Sequence, residues 1–249
     1  FINEYKIDTC TIIKKLQELS SSGIENYQSD VEFWLLFDDY VIDCPEKKQI
    51  INKIFSESKV GVIYGSAGVG KSTLINHVSH YLNDENKLYL TQTNPAKENL
   101  TMKINADNTT FSTIASFLKN GSSITEYELL VIDECSTVSN KDMVAVLEKA
   151  NFKMLLLVGD TYQIDAIQFG NWFSVLKSFL PESAVFELTK PHRTHDKYLL
   201  ELWDKVRYMD ETAKEVIERE SYSLKVDASL LSSLEKDEAI LCLNYDGLY

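Results

Sequence analysis

The chain contains a glycine-rich stretch that fits the phosphate-binding pattern G-x-x-x-x-G-K-[ST] at every fixed position. It consists of Gly65, Ser66, Ala67, Gly68, Val69, Gly70, Lys71 and Ser72, and Thr73 follows it. The apolar run at 60–64 predicts a buried strand before the loop, and residues 71–82 predict a helix after it. A loop between a strand and a helix is the context that this pattern requires, so it predicts a P-loop in an α/β fold.

The physics of such a loop explains what it binds. Glycines allow the backbone to curl until successive N–H groups point at phosphate oxygens, and the following helix directs its positive dipole end at the same anion. Lys71 supplies a mobile positive charge for the β- and γ-phosphates, and Ser72 supplies a hydroxyl for Mg²⁺. We therefore expect residues 65–73 to bind a nucleoside triphosphate.

Composition limits the class of protein, its location and its mode of binding to nucleic acid. A hydrophobic content of 44% is typical of a folded domain, and because no apolar run approaches the length of a membrane span we expect no membrane partner. The four cysteines form no C-x-x-C pair, which favours a reducing, cytoplasmic location. A net charge of −13 disfavours broad, non-specific binding to nucleic acid but leaves room for a local basic groove. Because the first residue is Phe1 rather than Met, we expect the chain to be part of a longer protein.

From residue 60 onward, short apolar runs alternate with helical patterns. Strands are predicted at 60–64, 87–91, 128–132, 153–158 and 184–188, and helices at 71–82, 95–103, 112–118, 140–149 and 171–179. Wholly apolar short strands are typical of a parallel sheet that helices cover on both faces. In such a sheet the functional residues lie at the carboxyl ends of the strands.

Two adjacent acids follow the predicted strand 128–132. Asp133 can hold Mg²⁺ through water, and Glu134 can orient or deprotonate an attacking water molecule. Two roles that need two adjacent acids favour a hydrolase over a kinase. Residues 140–143 miss the guanine-reading pattern N-K-x-D by one position, which disfavours a GTPase.

Two further polar residues follow later strands. Gln163 comes after Gly159 and Asp160, where its amide can reach a γ-phosphate or the attacking water. Arg193 follows the strand 184–188, and an arginine near the γ-phosphate would stabilise the charge that develops during phosphoryl transfer.

As an ordered set, these motifs resemble superfamily 1 helicases, closest to the RecD-like or Dda-like branch. Asp133 and Glu134 are similar to motif II, residues 159–164 to motif III, and Arg193 to motif IV. Residues 91–97 look like motif Ia, and residues 110–118 look like the T-I-H-x-L element with alanine in place of histidine.

The resemblance implies an ATP-dependent nucleic-acid motor with a RecA-like fold, which binds ATP and Mg²⁺. It implies that Gln49 reads adenine, that Ser72 and Asp133 hold the metal, and that Lys71, Glu134, Gln163 and Arg193 are catalytic. It also implies contacts to single-stranded DNA, with RNA not set aside, at Thr93, Asn94, Phe111 and Thr113. Threonine and asparagine side chains can donate hydrogen bonds to phosphates, and a phenylalanine can stack on a base, whereas Phe117 is better explained as a core residue.

The domain organisation implied is a helical N-terminal segment at 1–44, a RecA-like ATPase domain at 45–194, a helical connector at 195–236 and the start of a second RecA-like domain at 237–249. A second hypothesis is a regulatory switch or scaffold, in which residues 1–44 dock a protein partner and no strand separation occurs. The short gap between the motifs at 119–128 and the acidic charge favour this alternative, and the motif Ia and T-I-H-x-L resemblances favour the motor.

Overall fold

The computed structural model describes residues 2–38, 40–120, 125–162, 171–192, 194 and 196–222. Within them, six strands form one parallel sheet: β1 (Val60–Gly65), β2 (Lys87–Thr91), β3 (Thr109–Thr113), β4 (Glu126–Ile132), β5 (Asn151–Gly159) and β6 (Val185–Leu188). The helices are α1 (Ile2–Leu19), α2 (Tyr27–Phe37), α3 (Pro45–Lys53), α4 (Lys71–Tyr81), α5 (Asn94–Lys103), α6 (Ile114–Lys119), α7 (Asn140–Lys149), α8 (Trp172–Val175), α9 (Lys197–Arg207) and α10 (Ala213–Arg219). The predicted α/β architecture with a parallel sheet is confirmed.

The strand order β3-β2-β4-β5-β1-β6 decides which loops meet at the carboxyl edge of the sheet. The strand before the glycine-rich loop, β1, lies between β5 and β6, and β4 is the next strand beyond β5. The carboxyl ends of β1, β4, β5 and β6 are therefore neighbours, as expected at a point where the strand order reverses.

Helices cover both faces of the sheet. On one face, Ile12 of α1 and Val146 of α7 pack against Leu130 of β4 in one apolar cluster. On the other face, Ile51 of α3 and Leu74 of α4 pack in a second cluster. Consecutive residues of β4 point to opposite clusters, which explains why its sequence is apolar without interruption.

The chain divides into two compact units, 1–194 and 195–249. In the second unit, the Asp196 side chain accepts hydrogen bonds from the backbone N–H groups of Tyr198 and Leu199 and so caps α9. Arg219 of α10 contacts Glu201 of α9 at 3.0 Å. The predicted connector is helical where it is described, and the predicted start of a second domain at 237–249 lies outside the described residues.

The strand β3 was missed by the sequence analysis, which predicted a helix over 112–118. The structure has a strand to Thr113, and the helix begins at Ile114 because the Thr113 side chain caps it. An edge strand that pairs with β2 on one side carries short polar residues, so it lacks the wholly apolar pattern that identified the other strands.

The predicted helix at 171–179 is also shorter than expected. The structure has one turn of α-helix, α8, followed by a 3-10 turn at Leu176–Ser178. Among all helices in the described part of the chain, none is both long enough and apolar enough to span a bilayer.

Candidate active site

The loop between β1 and α4 has the conformation that its glycines were expected to provide. Gly68 and Gly70 have φ angles of 85° and 87°, in the left-handed region that favours glycine. A Cβ atom on Gly70 would lie 2.6 Å from Nζ of Lys47, so a larger residue would have to displace that side chain. The loop therefore turns sharply into α4 with its backbone exposed to the cleft above it.

Lys71, the first residue of α4, folds back over this loop. Its ammonium donates hydrogen bonds to the carbonyl oxygens of Gly65, at 2.6 Å, and Ser66, at 2.9 Å. A phosphate would offer this ammonium a charged acceptor, and charge-assisted hydrogen bonds are about twice as strong as neutral ones. The side chain is thus placed to exchange loop carbonyls for phosphate oxygens.

The loop forms one wall of a cleft of about 410 Å³. The residues that line it are Ser66, Ala67, Gly68, Gly70, Lys71, Ser72, Thr73, Lys103, Asp133, Glu134, Gly159, Asp160 and His192. Two residues of the predicted loop do not line it: Val69 is buried in the core, and Gly65 packs against Val69 and Leu188.

The two acids after β4 enter the same cleft. The backbone N–H of Glu134 donates to Oδ1 of Asp133 at 2.9 Å. Glu134 has φ 56° and ψ 41°, a left-handed conformation that is uncommon for a residue with a side chain. This bend ends the strand and turns the Glu134 backbone into the short 3-10 helix Cys135–Thr137.

The electrostatics of the cleft centre on Asp133. Burial raises the pKa of this carboxyl to about 6, and the neighbouring Glu134 carboxylate raises it as well, whereas Lys71 and Lys103 lower it. A cation in the cleft would favour the ionised form of Asp133 for the same reason that the lysines do.

Metal binding can be tested against the donors present. The Ser72 hydroxyl and the Asp133 carboxylate line one cleft, and oxygen donors of this kind are those that Mg²⁺ prefers. The glycine cradle beside them leaves backbone N–H groups and Lys71 for phosphate oxygens. The donors therefore fit a magnesium-bound triphosphate.

The structure describes only one of the polar residues that the sequence analysis noted after the later strands. Asp160, after β5, is buried, and its Oδ1 accepts from the backbone N–H of Tyr162 at 3.0 Å. Gln163 and Arg193 lie outside the described residues, so their roles stay predictions from the sequence.

Sequence reasoning missed two residues that line the cleft, Lys103 and His192. The backbone N–H of His192 donates to the carbonyl of Gly68 at 2.9 Å, which ties the segment after β6 to the loop. The position of His192 next to the predicted Arg193 could have identified it from the sequence. Lys103 carried no signal, because it lies ten residues beyond Thr93 in no motif.

Gln49, the predicted adenine reader, lies on the exposed side of α3 and lines a separate cavity with Leu35 and Leu36 of α2. The residue of α3 that touches the glycine-rich loop is Lys47, whose buried ammonium lies against Gly70. The structure does not bring Gln49 together with the other predicted nucleotide-binding residues.

Lys47 belongs to a polar network beneath the loop. Its ammonium pairs with Asp43 Oδ2, and Asp43 Oδ1 lies 2.8 Å from Nε2 of His77, whose Nδ1 lies 2.8 Å from the Tyr40 hydroxyl. Burial lowers the pKa of His77, and its hydrogen bond to Asp43 offsets this in part. The charge of Lys47 also lowers the pKa of His77, which favours the neutral imidazole. The ligand atoms of Asp43, Cys44 and His192 lie within 4.8 Å of one another, but that carboxylate is committed to Lys47 and His77.

The predicted DNA-contacting residues lie at the carboxyl ends of β2 and β3. Thr93 and Thr113 each accept a backbone hydrogen bond, and so cap α5 and α6. Phe111 stacks on Tyr89 with ring centroids 4.7 Å apart, and Asn94 is exposed. Phe117 is buried in the core, as expected. These residues share one edge of the sheet but line no part of the cleft.

Comparisons with known proteins agree with this architecture. The AAA domain family model matches residues 45–222. The fold is similar to that of a Bacteroides Pif1 helicase solved in complex with ADP-AlF3 and single-stranded DNA, with a TM-score of 0.56, 18% identity and coverage of 84% of this chain and 56% of that one. It is also similar to a Pif1 helicase from Candida albicans, with a TM-score of 0.53, 20% identity and coverage of 76% of this chain and 50% of that one.

The chain thus spans about half the length of the Pif1 structures that it matches. At these identities the likeness establishes the fold, which is the RecA-like α/β architecture that the motifs predicted. No curated protein matches the sequence.

Proposed function

The chain belongs to the AAA domain family, and on that premise we propose that it is the ATP-hydrolysing core of a helicase-type motor that contacts single-stranded DNA. The observation that carries this proposal is the convergence of Lys71, Ser72, Asp133 and Glu134 on one cleft. The Bacteroides Pif1 helicase, which shares the fold, was solved with ADP-AlF3 and single-stranded DNA, which supports the same ligand classes here.

Each residue of the cleft has a role in this reaction. The loop N–H groups and Lys71 hold the β- and γ-phosphates of ATP, and Ser72 and Asp133 hold Mg²⁺, which neutralises charge on the phosphates. Glu134 orients a water molecule for attack on the γ-phosphorus and accepts its proton while the bond to the β-phosphate oxygen breaks. Gln163 and Arg193 are proposed, from the sequence motifs, to contact the γ-phosphate.

Single-stranded DNA is proposed to contact the edge formed by Thr93, Asn94, Phe111 and Thr113, and RNA is an alternative strand for the same edge. The net charge of −13 makes a short, local contact more favourable than a broad electrostatic one. The spaced cysteines support a reducing, cytoplasmic setting for this reaction.

The steady-state rate of ATP hydrolysis with and without oligo-dT tests the proposal. Lys71→Ala gives the blank, and Lys119→Ala is the charge-matched control, since Lys119 is exposed at the end of α6 and lines no part of the cleft. We expect hydrolysis above the blank that oligo-dT increases, and an increase that weakens as salt rises. Turnover equal to that of Lys71→Ala would contradict the ATPase assignment.

A second candidate function is a nucleotide-dependent switch that binds a protein partner. Its support is an apolar surface on and after α2, where Phe33, Leu36, Phe37 and Val41 are all more than half exposed. Exposed apolar surfaces of this kind are often protein-binding. If hydrolysis exceeds the blank and ignores oligo-dT at every salt concentration, the switch is favoured over the motor.

A further inference from the structure

Lys103 is a basic residue of the cleft that the proposed reaction leaves unused. It is the last residue of α5, its side chain is exposed, and it lines the cleft with Asp133 and Glu134. Within the described part of the chain, its ammonium has no hydrogen-bond or ion-pair partner. It is thus a cation with three free donors that faces the region where the nucleotide binds.

Lys103 and Lys71 reach the cleft from different elements of the fold. Lys71 projects from the loop side of the cleft, where its ammonium already contacts the carbonyls of Gly65 and Ser66. Lys103 comes from α5, which packs against α4, and it lines the cleft together with the two acids that follow β4. It therefore reaches the cleft from a different element than Lys71 does, in the same cleft as the acid proposed to position the attacking water.

We propose that Lys103 binds the terminal phosphate of the bound nucleotide and so distinguishes a triphosphate from a diphosphate. This inference rests on the proposed function, since it requires that the cleft bind ATP. Lys71 and Lys103 would then hold the transferring group from two different elements of the fold, α4 and α5.

The same contact gives α5 a second role. The helix begins next to Thr93, at the edge proposed to contact DNA, and ends at Lys103 in the cleft. Its ten residues span about 15 Å as one rigid element, which Leu100 anchors in the core. Loss of the terminal phosphate would release one end of a helix whose other end lies at the DNA-contacting edge.

The test compares the affinities of each variant for ADP and for a non-hydrolysable ATP analogue, measured with fluorescent nucleotides in the presence of Mg²⁺. We expect Lys103→Ala to weaken binding of the analogue by about tenfold or more, the usual effect of one charge-assisted hydrogen bond, and to leave ADP binding within about twofold. Lys119→Ala, which also removes the last lysine of a helix, should change neither affinity, and Lys103→Arg should restore discrimination.

The outcomes separate the two proposals. If wild-type protein binds neither nucleotide, the proposed function fails. If wild type binds both and Lys103→Ala loses equal affinity for both, or none, then Lys103 does not contact the terminal phosphate and the inference is wrong. Circular dichroism melting of each variant identifies a loss that comes from unfolding, and in that case Lys103→Arg against wild type decides the question.

Discussion

Two stretches of the carboxyl edge of the sheet use their polar side chains differently. Around the glycine-rich loop, Ser72, Asp133 and Glu134 face a cleft. Beyond β2 and β3, Thr93 and Thr113 cap helices, and Phe111 stacks on Tyr89. The first stretch leaves polar groups available for a ligand, whereas the second already uses them to hold the fold. A substitution in the first should change chemistry with little loss of stability, and a substitution in the second should change both.

The largest expected effect is on ATP hydrolysis, in variants of the residues that line the cleft. Lys71→Ala should lower the rate of ATP hydrolysis by roughly 100-fold or more, the scale of losing one electrostatic contact to a transition state. Glu134→Gln should bind ATP with nearly unchanged affinity and fail to hydrolyse it. Phosphate release and nucleotide binding measure the two effects, with Lys119→Ala as the control. Wild-type turnover by Glu134→Gln would show that another group activates the water.

Phe111 would be an exception to this contrast if its ring both stabilises the fold and stacks on a DNA base. Phe111→Ala should lower the free energy of unfolding by roughly 2 kcal/mol, less than the ~3–5 kcal/mol for a fully buried phenylalanine, because the ring is half-buried against Tyr89. Phe111→Leu keeps apolar volume but removes the aromatic face. If Leu restores stability in urea and oligo-dT affinity stays low, the ring also stacks on a base; if both return, its role is packing alone.

Thr93 should give a smaller, mixed effect. Thr93→Ala should cost about 1 kcal/mol of stability, because it removes the cap of α5, and should weaken oligo-dT binding by a few-fold at every salt concentration. The salt dependence of binding should not change, since a neutral hydroxyl releases no counterion. Thr93→Ser should restore both properties. A steeper or shallower salt dependence in the alanine variant would contradict this neutral contact.

The smallest effect tests the network beneath the loop. Because burial keeps the pKa of His77 below its ordinary value, the unfolded chain binds a proton first as pH falls. His77 therefore contributes stability above pH ~6.5 that is lost at lower pH. Asp133, with its pKa raised to about 6, acts in the opposite sense. Urea unfolding at pH 7.5 and 5.5 should show that His77→Gln loses less stability on acidification than wild type. An equal loss in both proteins would show that His77 does not contribute to the pH dependence of stability.

The sequence located most of the residues that line the cleft because their pattern depends on local spacing. A glycine at a fixed place before Lys71, and two acids directly after an apolar strand, determine the geometry within a few residues. Lys103 could not be found this way, since it enters the cleft only through the packing of α5. Gln49 is a different case: it lines a separate cavity, away from the glycine-rich loop that Lys47 touches, and its role as the adenine reader stays a prediction.

The sequence analysis failed to predict the edge strand β3 for a related physical reason. Apolar patterning reports burial, and β3 is covered less completely than the central strands, so Thr109–Thr113 carried a weak signal. The predicted DNA-contacting residues sit on this least recognisable strand and on the loop after its neighbour. Their assignment rests on resemblance, and the variants above supply the independent measurement.

The left-handed backbone conformation of Glu134 has a consequence for how this position can evolve. A left-handed conformation costs a residue with a side chain roughly 1–2 kcal/mol that glycine would not incur. A population of variants selected only for resistance to heat should therefore replace Glu134 with glycine, and one selected for turnover should retain it. This residue, which the fold holds at a cost, is also the one whose carboxylate the proposed reaction needs, so thermal robustness and catalysis would evolve in opposite directions at this position.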